Sequence, residues 1–351
     1  MDVVTHALLG MAAACATTTA RTRLRVRERL LLGASGGAFP DIDFAAFWID
    51  PLSFLADWHQ APTHSIVLLP LWAVLIAAAF VGVSGRRICF AEAVWVGGLG
   101  LGTHIAADLV TAYGTAVFYP LSTMRLSLAT TFVIDPLFTA IVLLGLWPSL
   151  RYARRFPAAL ALVALCLYVS SQAGLQQRAV DAGRASLQAA GMDGSRLVAL
   201  AQPLSPFNWK LIAIDDELYR EGYLNLVGHP TLVPALPGLQ WLHDIGATYE
   251  PPERLIWRVR HRYGDRTEMR PLVERLWQDP RFAPFRRFAA YPAISRIHDD
   301  GRRICVWFTD LRYDLPVLPD NFRYGFCRDD VDAPWRLHRV RYFSERSTQR
   351  L

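Results

Sequence analysis

Charge is distributed unevenly along this chain of 351 residues, and the first half is poor in it. Residues 1–178 contain 9 of the 31 acidic residues, whereas a soluble domain is about 25% charged throughout. The same stretch includes apolar runs of the length that crosses a bilayer, about 20 residues. The sequence therefore predicts two domains, a helical transmembrane domain over residues 1–175 and a soluble domain over residues 176–351.

The apolar runs predict a polytopic α-helical membrane domain. Two of the segments are weaker, or re-entrant, because they contain a histidine or two aspartates, which are costly inside a membrane. The four strong segments are residues 65–84, 88–107, 132–150 and 156–174, and the two weaker ones are residues 3–20 and 30–49.

Arginine marks every second connection between these segments. The clusters lie at residues 21–29, at Arg86 and Arg87, and at residues 151–155, whereas the alternate connections contain only Arg125. Since arginine-rich loops stay on the cytoplasmic side of a membrane, these clusters are predicted to be cytoplasmic and the soluble domain to lie outside. No basic stripe is interleaved with aromatic residues, so a nucleic-acid partner is not expected.

The histidines and most aspartates of the first half are predicted to lie at the outer ends of the segments. Asp2 and His6 share one helix face, as do His104 and Asp108, because the members of each pair are four residues apart. Pro40 should interrupt the second segment immediately before two aspartates. The predicted metal ligands are Asp2, His6, Asp41, Asp43, His59, His64, His104 and Asp108.

Imidazole and carboxylate groups at one depth predict a divalent metal site. Zinc fits this mixture best, with manganese and iron as alternatives, and more than four candidate ligands suggest one to three ions. Such ions lower the pKa of a bound water to near 7 and polarise an ester oxygen. Asp43 and His64 are the predicted catalytic residues. Each residue alone also has a structural interpretation, because a buried histidine can bond a carbonyl and an aspartate can cap a helix.

These motifs resemble a family, the membrane-bound, metal-dependent hydrolases of bacterial inner membranes known as the YdjM/YbcI-like group. The resemblance covers about residues 1–140. Its elements are Met-Asp-x-x-Thr-His-x-x-x-Gly at residues 1–10, Pro-Asp-x-Asp at 40–43, His-x4-His-Ser at 59–65, and His-x3-Asp followed by Tyr-Gly-Thr within residues 104–115. The family commonly reads His-Arg-Gly where this chain has His59-Gln60-Ala61, so an arginine that could contact a phosphate is missing there.

The resemblance implies a hydrolase of the bacterial inner membrane. The His-x3-Asp element is also similar to one in zinc-dependent phospholipase C and P1-type nucleases, which favours phosphoester hydrolysis. We therefore expect a multi-pass enzyme whose metal-activated water cleaves a lipid or lipid-linked (phospho)ester at the outer face, with the soluble domain in the periplasm. Two alternatives are an ion, proton or metal transporter and a non-catalytic scaffold with a structural metal site.

The soluble domain is predicted to be α+β with an antiparallel sheet. Its strands are expected at residues 196–201, 209–215, 219–226, 295–298, 304–310, 322–327 and 337–343, and its helices at 176–191, 271–277 and 280–288. Cys305 and Cys327 could pair there if this domain lies in an oxidising compartment.

Overall fold

In the computed structural model, the chain folds into two compact units. Unit 1 contains residues 1–49 and 58–174, and unit 2 contains residues 50–57 and 175–351. The structure describes residues 1–84, 88–192, 194, 196–228, 238, 240–319, 321–330, 332–341 and 347–351. Arg86 and Arg87, one of the predicted cytoplasmic clusters, lie outside the described residues, as do residues 342 and 343 of the last predicted strand.

Helices dominate the chain up to residue 189. In order they are α1 (Val3–Ala16), α2 (Val26–Ala38), a 3₁₀ helix (Phe39–Trp48), α3 (Pro51–Ser53), a π turn (Phe54–Trp58), a 3₁₀ turn (Pro62–His64), α4 (Leu69–Ser84), α5 (Phe90–Leu109), α6 (Pro136–Tyr152) and α7 (Phe156–Ala189). The 3₁₀ helix Phe39–Trp48 carries Asp41 and Asp43 and is called the aspartate helix below. Pro40 stands at its start, where α2 has just ended, because proline cannot continue an α-helix.

Glycines let α1, α2 and α5 pack with their backbones in contact. A Cβ atom at Gly33 of α2 would overlap the carbonyl oxygen of Gly10 on α1, and one at Gly100 of α5 would overlap the carbonyl oxygen of Gly33. Small residues allow this close approach between helices in membranes. The helices are therefore close enough for His6 on α1 and His104 on α5 to stack, with ring centroids 3.6 Å apart.

The expectation of four strong and two weaker membrane-spanning segments is wrong. Among the described residues, only α7 is by itself long and apolar enough to cross a bilayer. Pro51–His64 and Leu69–Ser84 pass the same criterion together, but a bend of 73° separates them, as in a broken span or a re-entrant loop. The described part of the chain thus offers one candidate span, or at most two.

Helix breaks and polar residues explain why the predicted spans fail. Helix α1 has 14 residues, which gives about 21 Å against a bilayer core of about 30 Å. The segment of residues 30–49 is broken at Pro40, and α6 has 17 residues. Helix α5 reaches 20 residues, but Glu92 and His104 lower its mean hydropathy. The apolar segments read from the sequence are therefore longer than the uninterrupted apolar helices that they form.

Unit 2 contains two antiparallel sheets. The strands are β1 (Leu197–Ala201), β2 (Asn208–Asp215), β3 (Leu218–Asn225), β4 (Arg258–His261), β5 (Pro292–Asp299), β6 (Ile304–Asp310), β7 (Tyr324–Arg328), β8 (Arg336–Val340) and β9 (Thr348–Arg350), and the helices are α8 (Gln240–Ala247), α9 (Arg270–Gln278) and α10 (Ala283–Phe288). The sheets have the orders β1-β2-β3-β4 and β5-β6-β7-β8-β9. A sheet-rich domain after a helical region agrees with the sequence prediction, which did not anticipate α8, β4, β9 or the division into two sheets.

A disulfide joins two neighbouring strands of the second sheet. Cys305 on β6 is directly opposite Cys327 on β7 in the strand register, and the two sulfur atoms are bonded. Both cysteines are buried beside Trp307 and Val340. The bond therefore lies inside the core of this sheet.

A buried ion pair lies in the interior of unit 2. Lys210 on β2 is 0% exposed, and its Nζ lies 3.1 Å from Oε2 of Glu221 on β3. The ammonium also donates to the carbonyl oxygens of Leu311 at 2.7 Å and Asp314 at 3.1 Å. Burial by itself lowers the pKa of Lys210, but the surrounding Tyr223, Glu221 and Asp314 outweigh it and raise that pKa. Lys210 therefore stays charged in the core.

Candidate metal centre

Four side chains of unit 1 bring a potential ligand atom to one place. They are Asp41, His64, His104 and Asp108, and one ligand atom from each lies within 4.8 Å of the others. The aspartate helix supplies Asp41, the turn Pro62–His64 supplies His64, and α5 supplies the other two. These four residues, called the ligand group below, could hold a divalent metal ion.

The two histidines of the ligand group face each other through their Nε2 atoms, which are 3.0 Å apart. His104 donates from Nδ1 to the carbonyl oxygen of Gly37 at 2.6 Å, which leaves Nε2 as the ring nitrogen that can offer a lone pair to a metal ion. His64 Nδ1 lies 3.0 Å from Thr63 Oγ1, whose hydroxyl lies 3.4 Å from Asp43 Oδ2. A proton on Nδ1 of His64 leaves a second lone pair at Nε2. Two lone pairs at this distance repel each other unless a proton or a metal cation lies between them.

The carboxylates of the ligand group add further acceptor atoms. Asp108 Oδ2 lies 3.3 Å from Nε2 of each histidine. Asp41 Oδ1 lies 3.9 Å from His64 Nε2 and 3.7 Å from His104 Nε2. Asp41 Oδ2 is buried and has no hydrogen-bond partner among the described residues, which is costly for a carboxylate oxygen. These lone pairs and the orphaned oxygen fit a metal ion with imidazole and carboxylate ligands.

Burial restricts access to the ligand group. His64 and His104 are 0% exposed and Asp108 is 1% exposed, whereas the side chain of Asp41 is 17% exposed. Asp41, on the aspartate helix, is therefore the most exposed member of the ligand group.

Two of the other predicted ligands lie at the start of α1, His6 within the helix and Asp2 immediately before it. His6 Nε2 lies 3.1 Å from Asp108 Oδ1, which also accepts a bond from the α-amino group of Met1. His6 Nδ1 is buried without a hydrogen-bond partner among the described residues. Asp2 accepts from the backbone N–H and hydroxyl of Thr5 and caps α1. The structure thus places His6 against the ligand group and gives Asp2 the local role of a helix cap.

The remaining two predicted residues form a pair beside the group. His59 Nδ1 lies 3.1 Å from Asp43 Oδ1. Asp43 Oδ2 also lies 3.6 Å from Nδ1 of His64, on the side of the ring opposite to the ligand group. Asp43 therefore lies near the Nδ1 atoms of His59 and His64. Carboxylates in this position orient the histidine rings in many metal sites.

Gln60 belongs to the site, although the sequence did not single it out as functional. Its side chain is buried, donates from Nε2 to Asp108 Oδ2 at 2.9 Å and accepts at Oε1 from Thr115 Oγ1 at 2.9 Å. Its backbone N–H donates to Asp43 Oδ2 at 3.1 Å. Its φ of 55° lies in the left-handed region that non-glycine residues rarely adopt. Its position inside the His-x4-His motif was the only sign of this role.

The same part of the chain carries a family signature. A model of the YdjM inner membrane protein family matches residues 1–179, which is just over half of the chain and includes the whole ligand group. No curated protein and no solved structure matches the chain. The resemblance read from the motifs is confirmed: the chain belongs to the YdjM inner membrane protein family.

Proposed function

We propose that this chain is a membrane-bound, metal-dependent hydrolase that acts on a lipid or lipid-linked phosphoester. The observation that carries the proposal is the ligand group, in which two imidazoles and two carboxylates lie together at a buried position and Asp41 is the most exposed member. A divalent metal bound there supplies an activated water and polarises an ester oxygen. Zinc is the proposed ion, and Asp41, His64, His104 and Asp108 are its proposed ligands.

The residues around the ligand group have orienting roles in this proposal. The Gly37 carbonyl and Thr63 keep a proton on Nδ1 of His104 and His64, so that each Nε2 stays available. The pair of His59 and Asp43 is proposed to accept the proton that water releases, because an imidazole backed by a carboxylate is a good general base. His64, which the sequence predicted both as a metal ligand and as a catalytic residue, is proposed only as a ligand.

Membership of an inner-membrane family and the candidate span α7 support an amphiphilic substrate. A phosphoester is proposed from the likeness of His-x3-Asp to the element in zinc-dependent phospholipase C.

The direct test replaces a ligand and measures both metal and activity. His104→Ala removes a nitrogen ligand and should abolish stoichiometric zinc in the detergent-purified protein, together with hydrolysis of a phospholipid substrate. The unfolding temperature of unit 2 should not change. His298→Ala is the matched control, because His298 lies on β5 with a side chain that is 45% exposed. Metal content unchanged in His104→Ala would refute the site, and metal without hydrolysis of any ester would favour a structural metal site.

We also propose that unit 2 lies in the periplasm. The disulfide of Cys305 and Cys327 supports this, because such bonds persist in oxidising compartments and are rare in the cytosol. Alkylation of thiols in acid-quenched cells should find both cysteines protected until a reductant is added. If they react with the alkylating reagent before reduction, the periplasmic assignment fails.

A further inference from the structure

The aspartate helix has one face that is apolar and exposed. Because a 3₁₀ helix repeats every three residues, Ile42, Ala45 and Trp48 share a face. Ile42 is 62% exposed and Trp48 78% exposed, and Ala45 is exposed as well. Ile49, the next residue, is 87% exposed. We call Ile42, Ala45 and Trp48 the outer face of the aspartate helix.

Another side of the same helix holds one ligand of the site and one residue of the interior of unit 1. Asp41, Phe44 and Phe47 form this second row, in which Asp41 joins the ligand group, Phe47 is 3% exposed and Phe44 is 46% exposed. Phe44 stacks on Phe47 with ring centroids 5.1 Å apart. Asp43, in the third row, bonds His59. A helix of ten residues therefore holds the carboxylates of the site on its inner side and an isoleucine and a tryptophan on its outer side.

Water is a poor environment for this outer face. Tryptophan is enriched at the membrane–water interface, and amphipathic helices lie there with their apolar side in the acyl boundary. No charged residue belongs to the outer face, and the chain belongs to an inner-membrane family. The bilayer is therefore the occupant that the chemistry of this face and the family both indicate.

We propose that the outer face of the aspartate helix lies at the boundary between the headgroups and the acyl chains of the bilayer and contacts lipid directly. This inference deepens the proposed function, on which its consequence rests. Asp41 lies next to Ile42 in the chain and is the most exposed member of the ligand group. The group then lies at the depth of the ester and phosphate bonds of a phospholipid, which enters sideways from the bilayer rather than from water.

A spin label at position 45 tests the location of the outer face. The free cysteines Cys15, Cys89 and Cys166 are first replaced by alanine, the disulfide is kept, and the full chain is placed in phosphatidylethanolamine–phosphatidylglycerol vesicles. The label on Ala45→Cys should be accessible to oxygen and shielded from a water-soluble nickel complex. Arg302→Cys is the control, because this residue lies exposed in the β5–β6 turn and its label should show the reverse.

Two results would overturn the inference. If the labels at positions 45 and 302 are equally accessible to the nickel complex, the outer face lies in water. A label shielded from both reagents would show that protein covers it.

A second measurement separates this inference from the proposed function. Trp48→Ser should slow hydrolysis of vesicle phospholipid by about tenfold, because interfacial binding scales with buried apolar area. Bound metal and hydrolysis of a short-chain, water-soluble phosphoester should not change. If the wild type hydrolyses no phosphoester while the label at 45 lies in lipid, the proposed function fails and the lipid contact stands. If the soluble phosphoester is hydrolysed while the label lies in water, the lipid contact fails and the proposed function stands.

Discussion

At the residue scale, Gln60 connects two carboxylates of the site. Its amide has one orientation that fits, since Nε2 donates to Asp108 while Oε1 accepts from Thr115. A neutral amide satisfies both bonds at once, whereas an ionised carboxylate cannot donate and a guanidinium cannot accept. Its backbone N–H adds a bond to Asp43. Gln60 therefore fixes the positions of groups on three different segments of unit 1.

Replacement of Gln60 should weaken metal binding without abolishing it. Gln60→Met keeps the approximate shape but removes both side-chain bonds, so zinc affinity should fall by roughly 10- to 100-fold, as is usual when partners of metal ligands are lost. Gln172→Met is the matched control, because Gln172 is a buried glutamine of the same unit that lies on α7. Competition titration with a zinc chelator measures both. Equal affinities in the two variants would contradict the role of Gln60.

At the element scale, backbone contact between α1, α2 and α5 determines whether the site exists. His6 lies on α1, the ligands His104 and Asp108 lie on α5, and the carbonyl of Gly37 on α2 orients His104. These groups meet because the helices approach more closely than side chains would allow.

A methyl group between these helices should disturb both packing and metal binding. Gly33→Ala puts a Cβ atom onto the carbonyl oxygen of Gly10, so α1 must move away from α2. Overpacking of this kind costs about 1–3 kcal/mol or more, and the zinc content should fall with the unfolding temperature of unit 1. Gly82→Ala on α4 is the control, since its Cβ atom would meet nothing within 4 Å. That change should be neutral or slightly stabilising in a helix. Similar behaviour of the two variants would show that the close packing is unimportant.

At the scale of the whole molecule, unit 2 depends on buried charge as well as on apolar packing. Burial by itself raises the pKa of Glu221, but Lys210 and Arg260 outweigh it and hold that pKa below its ordinary value. A carboxyl group with a depressed pKa contributes stability above the pKa of the unfolded chain, about 4.3, and the contribution is lost as the pH falls.

The stability of unit 2 should therefore respond to acid through Glu221. At pH 7, Glu221→Gln leaves the Lys210 charge buried without its carboxylate, which costs about 3–5 kcal/mol. The difference in unfolding temperature from the wild type should shrink as the pH falls below about 4, because Glu221 becomes protonated first in the unfolded chain and, at lower pH, in the folded protein. Asp329→Asn is the control, because Asp329 pairs with Arg303 at the surface and such pairs contribute little. A difference that stays constant between about pH 3 and pH 7 would contradict the linkage.

The candidate site was more predictable than the membrane topology. The i,i+4 spacing of His104 and Asp108 is local, and the structure places both residues in the ligand group. The spans were not predictable in this way, because hydropathy over a window ignores where a helix ends. Thr17 and Pro40 mark such ends in the first two predicted segments.

The sequence by itself determined which chemical groups this chain can offer, approximately where several of its helices and most of its strands begin, and the family to which it belongs. These follow from short-range spacing, caps and proline positions, which act within a few residues. Tertiary structure alone decided that Asp41, His64, His104 and Asp108 meet, that Asp43 and His59 lie beside them, and that Gln60 joins them. The physical reason is that these residues come together only where the helices touch at Gly10, Gly33 and Gly100. Such contacts join residues far apart in the chain, so local sequence patterns do not predict them.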